Sequence, residues 1–525
     1  MRLTLGLASA VALASAPLAA QGTPRTPGAA AVRRAVRTIT ASDFRQGLAV
    51  VADDSMRGRD TPSPEVDETA KYIAAEFGRL GLRPAGDAGT FLQRYPVRRT
   101  QLDSTGVVVA TGRGATGRWA IGREVALLDT DPLESLTVTG PAVLMVGAAV
   151  DTVRPFGDVD LRGAVILQAL PAAARTQQEQ LLIRTTISRA AAAGALAWIM
   201  LLDLPAQAIA ATARGALRPR YGVPGLDGPL PLPVLALRDS DAADVLRAAG
   251  EELGAIRDTS VHTTRAVPGF TVSVNAPLRV LLETTAPNVI GVLEGSDPRL
   301  RDEYVTLSAH MDHVGVSADG RCTAAGADSI CNGADDNGSG TIGLVQLARA
   351  FAALTPRPRR SLVFVAVSGE ERGLWGSRWY VEHRVARLDR HVADLNLDAI
   401  GRNWPDSVEV VGKEHSTLGE VANRVTRDHP EVGMRLVDAL SETNRRYAQS
   451  DHYSFARAGV PVLFFFSGPH PDLHRPTDEP DRVDAEKVAR VLKMVFYVAL
   501  DVANADHRPE WDPESRRRIV QGPGD

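Results

Sequence analysis

Cysteine is nearly absent: the chain has two, Cys322 and Cys331, in 525 residues. That excludes a small disulfide-built scaffold and a zinc site with cysteine ligands. A basic surplus is also lacking. The 59 Lys and Arg face 63 Asp and Glu, for a formal charge of −4, and no polybasic face stands out. Nucleic acid is therefore not the partner to expect. Beyond the first 20 residues no apolar run is long enough to span a bilayer, and no repeat of fixed period occurs. What remains is ordinary globular composition, 44% hydrophobic and 23% charged. It excludes a mainly disordered, collagenous or coiled-coil chain. A single core rarely grows to this length, so two domains are expected.

Residues Met1–Ala20 combine Arg2, an apolar run to Ala16 and small residues at Ala19 and Ala20. This reads as a secretory signal cleaved after Ala20. The alternative, a membrane anchor, has a run shorter than the ~20 residues a spanning helix needs. The reading makes the chain an exported protein, periplasmic or extracellular, with no stable membrane insertion. Export allows a Cys322–Cys331 disulfide closing the loop CTAAGADSIC; two free thiols are the alternative.

Residues 21–38, rich in Pro, Gly, Ala and Arg at the start, are expected to form a flexible leader. Ser63 and Pro64 start a helix whose face is Val66, Ala70, Ile73, Phe77 and Leu80, and Gly81 ends it. Residues 137–265 have a different texture. Strands are expected at Ala164–Leu170, Ala195–Leu202 and Leu232–Leu237, with a helix at Gln177–Ala193. From Pro268 onward strands (Tyr304–Ala309, Ser361–Val367, Val392–Leu397, Val460–Phe466) alternate with helices (Gly338–Leu354, Ala485–Leu500). That alternation implies an α/β fold: a mixed, largely parallel sheet with helices on both faces. Residues 506–525 are polar and are expected to be a loose tail.

Imidazoles and carboxylates gather where the expected strands run out. His310 and Asp312 follow YVTLSA, Glu370 and Glu371 follow SLVFVAVSG, and Asp398 follows VADLNL. Ligands of open α/β sheets bind beyond the carboxyl ends of the strands. Loops add Asp335 and Asp336 in NGADDNGSG and His474 in PDLHRPTDEP. Singly these residues say little, since an Asp before a helix is most often an N-cap. Together they offer mixed N and O donors, which suit divalent cations, zinc first.

Six motifs in order, AHMDHVG, GADDNGSGT, SGEERGLWGS, NLDAIG, SDHYSFARAGVPVL and LHRPTDEPDRVD, resemble the co-catalytic zinc exopeptidases of the bacterial leucine-aminopeptidase type, a group that includes glutamate carboxypeptidases and glutaminyl cyclases. The resemblance covers about residues 39–100 and 268–503. The stretch between is similar to a protease-associated domain, through DLRGAVIL, AAAGALAWIML and LPVLALR. It implies a discontinuous peptidase domain, 39–136 and 266–505, interrupted by a smaller α+β insert at 137–265.

The resemblance also implies roles. His310 and Asp398 would hold one of two zinc ions, Glu371 and His474 the other, and Asp336 would bridge them. Asp335 would not be a ligand. A cis peptide would follow Asp336. Asp312 would accept a hydrogen bond from the His310 imidazole, and Glu370 would be the general base. Asp451, His452 and Tyr453 would stand behind the ligands or in the pocket wall, and His313 is expected at the rim without a role. The implied activity is removal of N-terminal residues from peptide substrates. The rivals are a carboxypeptidase or dipeptidase of the same kind, a one-zinc glutaminyl cyclase, and a metal-free receptor-like protein. Side-chain preference and oligomeric state are not legible.

Overall fold

The computed structural model describes residues 26–521 except 129–133, 148–154, 171–176, 227–231, 258–261, 384–387 and 439–446. The expected signal segment lies outside the described residues. The first of two sheets contains β1 (Leu92–Leu102), β2 (Arg220–Gly222), β3 (Leu278–Leu293), β4 (Tyr304–His310), β5 (Ser361–Val367), β6 (His391–Leu397), β7 (Ser407–Val411), β8 (Arg435–Val437) and β9 (Val462–Phe466). Their order is β8-β7-β9-β6-β4-β5-β3-β1-β2, and the short strand Arg83–Pro84 also pairs with β3. The centre, β9-β6-β4-β5, is parallel; β7, β3, β1 and β2 add antiparallel pairings at the flanks.

The central strands are apolar on both faces because both faces are covered. In β5, Leu362, Phe364 and Ala366 join the core beneath α1 (Ala29–Val36), α2 (Ala41–Val51), α3 (Pro64–Arg79) and α4 (Gly340–Ala352). The alternate residues Val363, Val365 and Val367 pack on the other face, with Tyr380 of α5 (Trp375–Glu382) and Phe455 of α6 (His452–Arg457). Helix α7 (Ala485–Asn504) closes the first face, and its Phe496 stacks on Phe351 of α4 at 4.4 Å between ring centroids.

Helix α3 follows its sequence signals. Ser63 Oγ accepts the Val66 N–H at 3.1 Å, Pro64 opens the first turn, and Val66, Ala70, Ile73 and Phe77 are buried. Ser63→Ala should cost about 1 kcal/mol in equilibrium urea unfolding; an unchanged midpoint would show that the cap contributes nothing.

The second sheet has eight strands in the order Ala115–Ala120, Val107–Gly112, Thr263–Ala276, Leu136–Val146, Val165–Leu170, Ala197–Leu202, Val234–Arg238, Val125–Leu127. Its extent corrects the expected boundaries at 137 and 265. Residues 107–127 pair within this sheet because Val107–Gly112 lines up antiparallel with Phe270–Asn275, burying Val108 and Ala110 beside Val272 and Val274. Conversely, Arg220–Gly222, from the middle of the expected insert, pairs with Arg98–Thr100 of the first sheet.

Two further expectations are corrected. The leader contains α1, whose Ala35 and Val36 are buried in the main core. The tail is anchored rather than loose: Trp511 pairs with Ser416 and donates its indole N–H to the Gly459 carbonyl at 2.9 Å, while Ile519 is buried against the α6 face. In both segments a few apolar side chains at helical or bridging spacing find core partners that composition alone does not reveal. Cys322 and Cys331 form a disulfide.

Candidate metal centre

Three adjacent parallel strands deliver the site. β4 ends on His310, which lies level with Val367, the last residue of β5. β6 ends at Leu397, so Asp398 is the next residue. After β5 the chain passes Ser368 and Gly369 into the turn Glu370–Arg372. Gly369 has φ +74°, and a Cβ there would stand 2.7 Å from the Tyr95 hydroxyl. Asp336 precedes α4, and His474 comes from the loop between β9 and α7.

Asp336 lies at the middle of the cluster. Its Oδ1 is 3.4 Å from His310 Nε2, and its Oδ2 is 3.1 Å from His474 Nε2. His310 Nε2 is also 3.3 Å from Asp398 Oδ1, and His474 Nε2 is 3.2 Å from Glu371 Oε1. The Asp336–Asn337 peptide is cis. The Asn337 amide donates to the Leu397 carbonyl at 2.9 Å, tying this loop to the strand end that carries Asp398. Asp335 faces elsewhere: its Oδ1 accepts the Gly401 N–H at 2.6 Å and its Oδ2 is 3.4 Å from His470.

The expected hydrogen bond from His310 to the Asp312 carboxylate is not formed. His310 Nδ1 is 3.2 Å from the Asp312 carbonyl oxygen and 3.8 Å from its carboxylate. Nδ1–H therefore donates to the carbonyl, which leaves Nε2 facing the acids. The carboxylate is turned instead to the Glu370 N–H, which it accepts at 3.3 Å. Burial pushes Asp312 up to about 6, against the pull of His310.

His313 is not at the rim. It is fully buried, with Nδ1 2.9 Å from Glu371 Oε1 and 3.9 Å from Asp336 Oδ2, and its ring stands edge-on to His474. Gly333 makes room for it; a Cβ there would come within 2.4 Å of the imidazole. The sequence signal was a second imidazole three residues beyond His310. Asp478 is a second residue that sequence reasoning missed. Its carboxylate accepts the N–H groups of Asp335 and Asp336 at 3.1 Å, holding the loop that presents Asp336. Asp451 and His452 do not join the cluster. The His452 ring stacks on Phe464 with Nε2 2.9 Å from the Tyr447 carbonyl oxygen, and burial pulls it down to about 3.

The electrostatics follow the geometry. The Asp336 and Glu371 carboxylates beside it hold His474 up at about 11, although its side chain is 49% exposed. Burial works against the Glu371 charge, but His313 and His474 keep its carboxyl well below the usual range. Glu370 moves the other way: burial, then Glu371, Asp451 and Asp398, raise it well above the usual range against His310.

The residues fit a divalent cation. Two groups, His310–Asp336–Asp398 and His313–Asp336–Glu371–His474, each bring one ligand atom per residue within 4.8 Å of the others. Buried His310 Nε2 and Glu371 Oε1 make no hydrogen bond. Only imidazole nitrogen and carboxylate oxygen are offered, a borderline-to-hard donor set. A cavity of about 360 Å³ opens on the cluster, with Glu370, Asp398 and His474 on one side and Phe464, Phe466 and Leu473 on the other.

An α/β sheet with a carboxylate–imidazole centre at the carboxyl ends of its parallel strands defines a class of α/β proteins suited to hold divalent metal. Within that class, residues 288–499 match the model of peptidase family M28. The matched stretch includes the residues of the metal centre, from His310 to His474. Aminopeptidase YwaD of Bacillus subtilis (strain 168) is 27% identical over 241 residues, 44% of this chain and 48% of that protein. A probable zinc metalloprotease of Pyricularia oryzae is 31% identical over 284 residues, 46% of this chain and 54% of that protein. The chain thus spans about half the length of these curated relatives. Among solved structures, an aminopeptidase from Aneurinibacillus sp. strain AM-1 aligns with 94% of this chain and 98% of its own, at 18% identity and a TM-score of 0.48.

Proposed function

We propose that the protein is an exported di-zinc aminopeptidase. The observation that carries this reading is Asp336, whose two oxygens face His310 on one side and His474 on the other. His310 and Asp398 would hold one zinc, Glu371 and His474 the second, with Asp336 shared and His313 holding Glu371 in place. Bound there, the ions would polarise the scissile carbonyl and acidify a water.

Glu370 lines the same cavity and is the proposed general base. Its carboxylate takes a proton from the attacking water as the oxygen bonds to the carbonyl carbon. It returns that proton to the amine as the C–N bond breaks. Burial raises its carboxyl, the direction that makes a carboxylate a stronger base. Phe464, Phe466 and Leu473 give the cavity an apolar wall for the departing residue's side chain. Export is supported by the disulfide, which persists in oxidising compartments. No helix among the described residues is long and apolar enough to cross a membrane. The second sheet is proposed as a substrate-side wall, since its connecting segment Arg220–Gly222 joins the first sheet.

The test combines metal analysis with a substrate panel. About two zinc ions per chain are expected, with hydrolysis of aminoacyl p-nitroanilides that chelator abolishes and added zinc restores. Cleavage of N-blocked peptides alone would sink the aminopeptidase reading, and a chain that retains no zinc would sink the enzyme.

A further inference from the structure

A second, larger cavity of about 530 Å³ is lined by Arg372, the last residue of the Glu370–Arg372 turn. Arg99 of β1, Arg220 and Tyr221 of β2, Arg321 of the disulfide loop, Arg372 and Asp60 all line it. Four guanidinium groups from four separate segments thus converge around one carboxylate. That carboxylate is already engaged, because Arg372 Nη2 and Nε reach Asp60 at 2.5 and 3.2 Å.

Arg99 is placed by an aromatic contact and Arg321 by a backbone contact. Tyr221 carries Arg99 at 5.3 Å and Arg372 at 4.8 Å from its ring centroid. The buried Nε of Arg99 has no hydrogen-bond partner. Arg321 donates to the Glu371 carbonyl. Asp60 pairs with Arg372 and Glu371 stands 3.7 Å from Arg321, while Arg99, which has no acid partner among the described residues, adds further positive charge, so the arrangement is suited to an anionic ligand. Planar guanidinium forks match carboxylates in particular.

Glu371 links this cavity to the metal centre. Its Oε1 is 3.2 Å from His474, while its Oε2 is 3.7 Å from Arg321. An extended peptide advances about 3.3–3.6 Å per residue, so a peptide cleaved at the metal centre needs only a few residues beyond the scissile bond to bring a carboxylate here. We propose that the arginine-lined cavity is a carboxylate-binding subsite, which makes the enzyme selective for short peptides carrying a carboxylate on the leaving side. The proposal rests on the peptidase reading above.

The experiment compares kcat/KM of the zinc-loaded enzyme for Leu-Gly-Gly, its C-terminal amide, and Leu-Gly-Glu-amide. The free acid should be preferred to the amide by roughly tenfold or more, chiefly through KM, as expected for a charge-assisted hydrogen bond. Arg99→Gln should bring that ratio toward one, and Arg99→Lys should recover part of it. A preference transferred to Leu-Gly-Glu-amide would still support a carboxylate subsite, with the side chain as the source. Equal rates for acid and amide, or a ratio that Arg99→Gln leaves untouched, would overturn it. Leucine p-nitroanilide reports on the peptidase reading separately. If nothing is cleaved, calorimetric binding of the intact acid and amide tripeptides decides the subsite on its own: tighter acid binding supports it and equal binding overturns it.

Discussion

Glu370→Gln is expected to keep its zinc and lose roughly 10²–10⁴-fold in kcat, the usual range for removing a positioned general base. The amide has the volume of the carboxylate, and the turn that carries it is held by backbone: the Glu370 N–H on Asp312 and Gly369 at positive φ are both indifferent to the substitution. What disappears is the capacity to take a proton. Glu371→Gln is the contrasting variant. Its Oε1 sits among His313, His474 and Asp336, so this change should lower zinc content before it lowers turnover. Metal analysis and saturating kinetics on both variants separate the two roles. Near-normal kcat in Glu370→Gln would remove the base assignment.

The second large effect is expected at Arg59, which lies far from the motifs in sequence. Its guanidinium is buried, and burial pulls it down to about 10 while Asp312, Asp478, Asp336 and Glu371 hold it up. It donates to four carbonyls: Met311 at 3.0 Å, Val51 and Asn332 at 2.6 Å, and Gly333 at 2.9 Å. Met311 sits just after His310, Asn332 and Gly333 lie just before Asp336, and Val51 closes α2. One side chain therefore clamps the loop after β4 to the loop before α4. Arg59→Met removes the side-chain donor from the Met311, Val51 and Asn332 carbonyls, leaves Gly333 only its bond from the Gly338 N–H, and takes the central cation from four carboxylates. A loss of about 3–5 kcal/mol is expected in urea unfolding of the zinc-free chain, with weaker zinc retention. Arg59→Lys should recover only part, because an ammonium cannot reach four acceptors in a planar fork. A loss below about 1 kcal/mol for Arg59→Met would contradict the clamp.

Much of the centre was legible because its chemistry is local. His310, Glu370, Glu371 and Asp398 each follow an apolar strand directly, so the strand pattern places them at one edge once the strands are parallel. Asp336 and His474 lie in loops, and only the order of motifs pointed to them. The parts that were misread depend on orientation or distant packing. The Asp312 carboxylate turns to a backbone N–H while its carbonyl accepts the imidazole N–H, and both acceptors belong to the same residue. His313 looked like a rim residue because nothing local shows that Gly333 opens a space for it. The domain boundaries were misplaced because Val107–Gly112 pairs with Phe270–Asn275 and Val125–Leu127 with Leu235–Leu237, partners far along the chain.

The scarcity of cysteine, the export-type N-terminal segment, the strand–helix alternation and the acid–imidazole motifs were determined by the sequence alone. Hydrophobic period and residue type act locally, so they survive without coordinates. The Arg59 clamp, the burial of His313 and the convergence of Arg99, Arg220, Arg321 and Arg372 on one cavity were decided only by tertiary structure. Each joins residues that the chain separates widely, and a charge gains its meaning from the neighbours that folding brings to it.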